Sequence, residues 1–423
     1  MNKHIMNRRS ILGGGLCTAA GTILAKNGFG SESSVPAAIP SGTGGMKITK
    51  MEAIRFRDGF APNGWRPNFT WIRIHTDAGI VGIGETYPFR EGEIGILRHI
   101  APIVAGRDPR DIERIWRDVF ERNAFYGWGG SEMRALSAID IALWDILGKA
   151  AQMPVYRLLG GKAQEKIRVY ETCFNYDYDF LTDADKIALD LMKRGIKAIK
   201  IWPFDGTARK NSGNHISLIE MEECLEPVKK IRDACGNEME IALEFHSRWN
   251  LPSAMRIANA LEPYAPMWIE DMLLQDNMTS YAVLARETPI PVTVSERLAT
   301  RYQYRELLEQ KAADIVMFDA TWCGGISEAK KISAMADTYY LPVAPHTAGG
   351  PGLFFASLHL AAAATNLSIM ESVRRFYLQD YREYVMDVPQ PVDGYFQPPE
   401  GPGLGMEPRP GLFQNGNAII IDL

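Results

Sequence analysis

Glu240-Ile241-Ala242-Leu243-Glu244-Phe245-His246 is a short apolar run that closes on a carboxylate, and Met267-Trp268-Ile269-Glu270-Asp271 repeats the arrangement. Pro291–Ser295 followed by Glu296 repeats it again. Outward from these, runs of the same kind occur at Ile167–Tyr170, Ala198–Trp202, Ile315–Phe318, Leu341–Ala344 and Leu367–Met370. Between them lie amphipathic stretches with apolar residues at helical spacing, such as Met221–Cys235, Pro252–Leu261, Arg301–Lys311 and Ile326–Thr338. Eight strands alternating with helices over about 200 residues is the count of a (β/α)8 barrel. The alternative is a doubly wound open sheet, which calls for a glycine-rich phosphate turn after an early strand; the sequence has none.

Before the barrel the pattern differs. Lys47–Phe56, Thr70–Thr76 and Gly79–Glu85 read as strands, with a turn at Asp77-Ala78-Gly79. Helical periodicity then runs through Glu93–Val104, Pro109–Arg122 and Ser131–Ala150, and Pro154 opens a short helix ending at Leu159-Gly160-Gly161. Strands followed by helices make an α+β unit. The tail from Phe376 holds Pro389, Pro391, Pro398, Pro399 and Pro402, too many for a barrel element, and is expected to wrap back onto that unit. The fold expected is therefore α/β: a (β/α)8-type, modified TIM barrel over 166–375, an N-terminal α+β capping domain over 46–165, and the 376–423 tail completing the cap.

Residues 1–45 belong to neither. Arg8-Arg9 precedes a mildly apolar stretch rich in Gly and Ala, then Ser, Pro and Gly, which reads as an export signal of the twin-arginine type. It predicts a periplasmic protein. Composition adds exclusions. With 46 basic against 51 acidic residues the net charge is −5, and a pI near 5.9 argues against a nucleic-acid partner. No run of about 18 apolar residues is available to span a membrane. The five cysteines lie far apart without a C-x-x-C pair, which speaks against a disulfide framework or a zinc ribbon.

Chemistry in such a barrel sits at the C-terminal ends of the strands. Here those ends carry Lys200, Glu244, Glu270, Glu296, Asp319, His346 and Glu371. From Glu244 onward the steps are 26, 26, 23, 27 and 25 residues, one strand–helix unit each. Each unit thus delivers one ionisable side chain to the same ring. Three carboxylates from consecutive strands would repel and raise one another's pKa. A divalent cation resolves the conflict, and an all-oxygen set without cysteine favours Mg²⁺ over zinc. Asp319 and His346 stand on adjacent strands, so the carboxylate is placed to orient the imidazole and raise its basicity. A lone histidine is usually structural, and His75, His99, His215 and His359 are read that way. His246 lies two residues past Glu244, and strand alternation predicts that it shares the face of that metal candidate.

These residues resemble the enolase superfamily, and within it the mandelate racemase-like subgroup. The resemblance runs from Met46 to the C-terminus and rests on Ala138-Ile139-Asp140-Ile141-Ala142-Leu143-Trp144-Asp145, Leu158-Leu159-Gly160-Gly161-Lys162, Trp268-Ile269-Glu270-Asp271, Asp319 with Gly324-Gly325-Ile326, and Ala344-Pro345-His346. It implies Mg²⁺ on Glu244, Glu270 and Glu296, a His346–Asp319 catalytic dyad that abstracts the proton α to a carboxylate, and Glu371 hydrogen-bonded to the substrate carboxylate or enediolate oxygen. Where racemising members carry Lys-x-Lys at the end of the second barrel strand, this chain has Lys200 and then Trp202. The second base is therefore missing, and Lys200 remains to contact substrate or metal-bound oxygen.

Glu244-Phe245-His246-Ser247-Arg248 is similar to the Asp-Phe-His-Gly-Arg stretch of D-galactonate dehydratases, which implies His246 as the acid that protonates a departing hydroxyl. The chain departs from that stretch by Glu for Asp and Ser for Gly. The activity implied is dehydration of an acid sugar, an aldonate or aldarate, to a 2-keto-3-deoxy acid. A racemase or epimerase, or a sugar-lactone cycloisomerase, is the alternative. Specificity is expected from Trp202 and Arg248, from the segment Phe60–Phe69 with Trp65 and Arg66, which resembles a capping loop, and from Pro203–His215, a long polar connection. Arg297 is expected at the pocket or on a neighbouring carboxylate. The partner is a small-molecule sugar acid, and family habit implies a homo-oligomer.

Overall fold

The computed structural model describes residues 45–56, 68–87, 91–174, 177–414, 416 and 418–423. The export signal read in residues 1–45 (all but its last residue), Trp65 and Arg66 lie outside them.

The cap begins with strands β1 (Ile48–Phe56), β2 (Thr70–Thr76) and β3 (Val81–Thr86), then helices α1 (Glu91–Val104), α2 (Ile112–Asn123), α3 (Gly130–Ala151) and the short α4 (Val155–Leu158). The barrel follows as β4 (Ile167–Thr172), α5 (Phe180–Lys193), β5 (Ala198–Ile201), α6 (Asp205–Asn211), α7 (Leu218–Cys235), β6 (Glu240–Glu244), α8 (Leu251–Leu261), β7 (Trp268–Glu270) and α9 (Met278–Glu287). It continues through β8 (Val292–Val294), α10 (Thr300–Glu309), β9 (Ile315–Phe318), α11 (Gly325–Thr338), β10 (Val343–Pro345), α12 (Pro351–Ala363) and β11 (Met370–Ser372). The tail contributes α13 (Arg374–Leu378), β12 (Tyr395–Phe396) and β13 (Ala418–Asp422).

Strands β4 to β11 are parallel and ordered β10-β9-β8-β7-β6-β5-β4-β11. The seam between β10 and β11 is joined by a bridge from Val343 to Leu367 and by Val343 N–H to Asn366 O at 2.9 Å. Tyr170, Ala198, Ala242, Trp268, Met317 and Ala344 form a buried cluster from β4, β5, β6, β7, β9 and β10. Two large rings among small residues fill a barrel that has no room for large residues on every strand. The tail binds in two places. Strand β13 pairs antiparallel with β1 and so extends the capping sheet, whereas β12 pairs with β4 of the barrel.

Helix α3 lies directly on β3. A Cβ added at Gly84 would stand 1.8 Å from the Ala138 carbonyl oxygen, and one at Gly82 2.2 Å from that of Ala142. Any side chain at either glycine pushes the helix off the sheet. From α3, carboxylates reach into the barrel. The helices α5, α7, α8 and α9 are capped by their own Asp179, Ser217, Asn250 and Asn277. Those that follow the last catalytic strands have no such cap of their own. Instead Asp140 of α3 accepts the Ser327 N–H of α11 at 3.0 Å and the Ser327 hydroxyl at 2.5 Å. Glu85 of β3 accepts the N–H groups of Gly350, Gly352 and Leu353 at 2.8–3.2 Å, at the start of α12, and the Trp71 indole at 3.0 Å. Orphan N–H groups at a helix start need such acceptors.

His359 of α12 is fully buried. Its Nδ1 accepts the Tyr156 N–H at 3.2 Å and its Nε2–H donates to Leu404 O at 3.0 Å, tying barrel, cap and tail together. Burial lowers its pKa from 6.5 to about 4, against the smaller upward pull of Leu404 O and Glu400. The folded chain thus refuses a proton that the unfolded chain takes below pH 6.5, so its stability contribution is complete above 6.5 and lost as pH falls toward 4. In His359→Gln, which keeps an acceptor and a donor, the loss of unfolding free energy between pH 7.5 and 4.5 should shrink by on the order of 2–3 kcal/mol. An unchanged loss in denaturant titrations at the two pH values would refute this.

Candidate active site

Strand register sets the heart of the site. Glu244 and Glu270 end adjacent parallel strands and are directly paired. Glu296 follows β8 by two residues. One carboxylate oxygen from each of the three lies within 4.8 Å of the others, and all three residues are buried. Lys200 of β5 sits beneath them, its Nζ 2.7 Å from Glu270 Oε1, 3.0 Å from Glu371 Oε1 and 3.9 Å from Glu244 Oε2. Burial alone would neutralise this lysine; the surrounding carboxylates overcome that and hold it charged.

The three carboxylates differ. Burial above all pushes Glu244 up to about 8, with Glu296 adding to the rise, and pushes Glu270 well above its usual range. At Glu296 burial works in the same sense but is outweighed by His346, Arg297 and Lys200, which bring it down to about 2. Glu296 Oε2 is buried with no hydrogen-bond partner in the protein. Three buried oxygen donors, mutual repulsion and one unsatisfied carboxylate oxygen suit a hard divalent cation. Arg297 takes the second of its two expected places, with Nε 3.2 Å from Glu296 Oε1 and 3.8 Å from Asp271 Oδ2.

Across the mouth, His346 follows β10. Its Nδ1 is 2.8 Å from Asp319 Oδ2, while Asp319 Oδ1 accepts the Thr321 N–H at 2.7 Å and the Thr321 hydroxyl at 2.5 Å. Nδ1 is thus the ring nitrogen committed to Asp319, and Nε2 is the one that offers a lone pair when the ring is neutral. Burial opposes charging the ring, yet Glu371 and Asp319 raise it to about 9. His346 Nε2 stands 3.5 Å from Glu371 Oε2. Glu371, inside β11, is fixed by the Thr172 hydroxyl, by Lys200 and by the Thr347 N–H at 2.6 Å. Burial would raise its pKa, but Lys200 and His346 bring it down to about 2. So held, Glu371 accepts hydrogen bonds and has no proton to donate to a substrate carboxylate.

Three expectations are corrected. His246 is not part of the strand: β6 ends at Glu244, and His246 and Ser247 adopt φ of +50° and +58°. Alternation therefore does not decide where its ring points. The turn is closed by the His246 N–H donating to Glu244 Oε1 at 2.5 Å, and the ring packs edge-on against Trp202 at 5.9 Å. Second, Pro203–His215 is not simply a polar connection. It contains α6, and Asp205, Thr207 and Ala208 are buried. Third, the eighth strand spans Met370–Ser372 rather than Leu367–Met370. Ile369 is already buried in the barrel interior before the ladder begins, so the apolar run starts earlier than the pairing.

Trp202 contacts Phe174 and Phe180 as well as His246, and Arg248 Nε lies 3.2 Å from Asp205 Oδ2. Two residues of the site carried no sequence signal of their own. One is Asp205. The other is Trp322, whose ring lies 5.5 Å from His346. Its indole N–H donates to Tyr87 O, and its ring stacks parallel on Tyr87 and under the Arg134 guanidinium at 4.2 Å. The cap thus backs the barrel's own wall beside the histidine.

A barrel bearing this carboxylate triad is matched in sequence as well. Residues 66–160 match the mandelate racemase/muconate lactonizing enzyme N-terminal domain, and residues 183–412 the enolase C-terminal domain-like model. The chain belongs to the mandelate racemase/muconate lactonizing enzyme family of the enolase superfamily. Within that family it is similar to D-galactonate dehydratase from Ralstonia nicotianae, 33% identical over 375 residues, covering 86% of this chain and 92% of that one. D-galactonate dehydratase from Pectobacterium atrosepticum is also 33% identical, with the same coverage. Among solved structures, an enolase of the mandelate racemase subgroup from Agrobacterium tumefaciens is 42% identical with TM-score 0.82, covering 89% of this chain and 98% of that one.

Proposed function

We propose that this member of the family dehydrates an acid sugar, an aldonate or aldarate, to a 2-keto-3-deoxy acid with Mg²⁺. The observation that carries the reading is the pair of histidines, His346 and His246, at the ends of strands on either side of the buried triad. The resemblance to D-galactonate dehydratases supports it. When bound by Glu244, Glu270 and Glu296, Mg²⁺ supplies positive charge where negative charge develops on the substrate carboxylate.

The chain does the rest. His346 Nε2 takes the C2 proton, and Asp319 holds the ring and stabilises the imidazolium that forms. Glu371, kept ionised by Lys200, accepts a substrate hydroxyl. Trp322 and its backing residues keep water from one side of the base. His246 gives a proton to the C3 hydroxyl, which leaves as water as the C2–C3 double bond forms. The resulting enol tautomerises to the 2-keto acid.

The test is ¹H NMR of mono- and di-acid sugars, beginning with D-galactonate, in D₂O with Mg²⁺ and again with EDTA. A 2-keto-3-deoxy product that disappears with EDTA is expected. His246→Gln should lose at least about 100-fold in product while still exchanging the C2 proton. Equal loss of exchange and product would remove His246 from the acid role. The second reading, an epimerase or lactone cycloisomerase, is favoured by the presence of two imidazoles at one mouth. It predicts an epimer or an opened ring and no 2-keto-3-deoxy acid.

A further inference from the structure

Asp205 is the first residue of α6. The residue is 3% exposed, and its Oδ2 meets two guanidinium groups and an imidazole: Arg209 Nη2 at 3.1 Å, Arg248 Nε at 3.2 Å and His246 Nδ1 at 3.1 Å. Two of these have an ordinary explanation. An acid in the first turn of a helix favours the dipole, and Arg209 is its i+4 partner. The contact with His246 is of another kind.

His246 Nδ1 is buried and has no aligned hydrogen bond, and Asp205 Oδ1 is buried without any partner. Buried polar atoms of native proteins are seldom left so. Here two polar atoms without partners belong to two residues that already meet at hydrogen-bond distance, Nδ1 standing 3.1 Å from Oδ2. The rest of His246 is constrained to match. Its backbone is pinned to Glu244, and Trp202 packs against the ring at 82°. Its side chain is 34% exposed although Nδ1 is not, so the open edge of the ring is the one carrying Nε2. The other histidine of the site is built the same way, with Asp319 against Nδ1 of His346.

We propose that Asp205 is the positioning residue of His246. It accepts the Nδ1–H, fixes the tautomer and turns Nε2 to the reactant, so that the site contains two histidine–carboxylate dyads, their histidines just past the third and seventh barrel strands. The role as general acid rests on the dehydratase reading above; the coupling of Asp205 to the ring does not.

The experiment uses the Mg²⁺-loaded full chain labelled with ¹⁵N-histidine, with His246 assigned by the signal missing in His246→Gln. At a pH where its ring is neutral, wild-type His246 should be predominantly the Nδ1–H tautomer. In Asp205→Asn the shape is kept, but the two guanidinium groups claim the single amide oxygen and turn the NH₂ toward Nδ1. The tautomer should invert to Nε2–H while the other histidines keep their shifts. With D-galactonate or another acid sugar the enzyme turns over, the variant should lose about 10-fold or more in product and less than about 2-fold in C2 exchange. An Asp205 that merely anchors α6 would lower thermal stability and leave the tautomer as in wild type; that result overturns the proposal. So does an inverted tautomer beside an unchanged product rate. A wild-type chain that turns over no acid sugar refutes the dehydratase reading alone, because the ¹⁵N spectra still decide whether Asp205 holds the ring.

Discussion

His346→Asn is expected to lower turnover by at least about 10³-fold while the protein folds and binds Mg²⁺ as before. The substitution is aimed at one atom. The Asn amide still reaches toward Asp319 with an N–H, as Nδ1 does at 2.8 Å, so the buried carboxylate keeps a donor and the loop after β10 keeps its anchor. Thr321 continues to hold the other oxygen. What disappears is Nε2, the nitrogen that faces Glu371 and the only one that the neutral ring of the dyad offers to a C2 proton. Loss of C2 exchange in D₂O should accompany loss of product, which separates this variant from His246→Gln. Calorimetric Mg²⁺ binding and the melting temperature are the controls. Wild-type-like exchange in His346→Asn would dismiss His346 as the base.

Lys200→Met is expected to have the largest effect on stability. The ammonium is 3% exposed and touches carboxylates from three strands. An apolar chain of similar length leaves Glu371, which the lysine holds ionised, buried without that counter-charge, a change that costs about 3–5 kcal/mol. The deficit should be greatest without metal. Mg²⁺ held by the folded chain alone, as proposed, should restore part of the stability, growing with the logarithm of its concentration over Kd. Turnover should fall even where the fold is recovered, because Glu371 loses the charge that keeps it ionised. Chemical denaturation with and without Mg²⁺ decides this, and a metal-free variant as stable as wild type would show that the lysine neutralises nothing.

The ring of ionisable groups was legible because each closes an apolar run and the runs recur at the length of one strand–helix unit. Glu244, Glu270, Glu296, Asp319 and His346 needed no knowledge of packing. The capping sheet was legible for the same reason, since alternation and turn residues act locally. The remainder depends on residues distant in sequence. Glu85 looks like the polar end of a surface strand, and only the approach of α12, 265 residues later, makes it a helix cap. Asp205 sits in a polar stretch whose burial follows from α6 folding back on the barrel mouth. His246 illustrates the opposite hazard. The strand whose periodicity located it ends two residues before it, and a left-handed turn breaks the alternation.

The carboxylates that reach from cap to barrel bear on how such enzymes can be recombined. Glu85 and Asp140 complete helices they do not belong to, and Asp145 accepts both the Ile83 N–H and the Leu404 N–H at 2.9 Å. The two parts are therefore not interchangeable pieces. A chimera that grafts another member's cap onto this barrel inherits open helix ends behind Asp319 and His346 unless the donor brings equivalents of these acids. Substrate preference carried by the cap is expected to transfer only together with them.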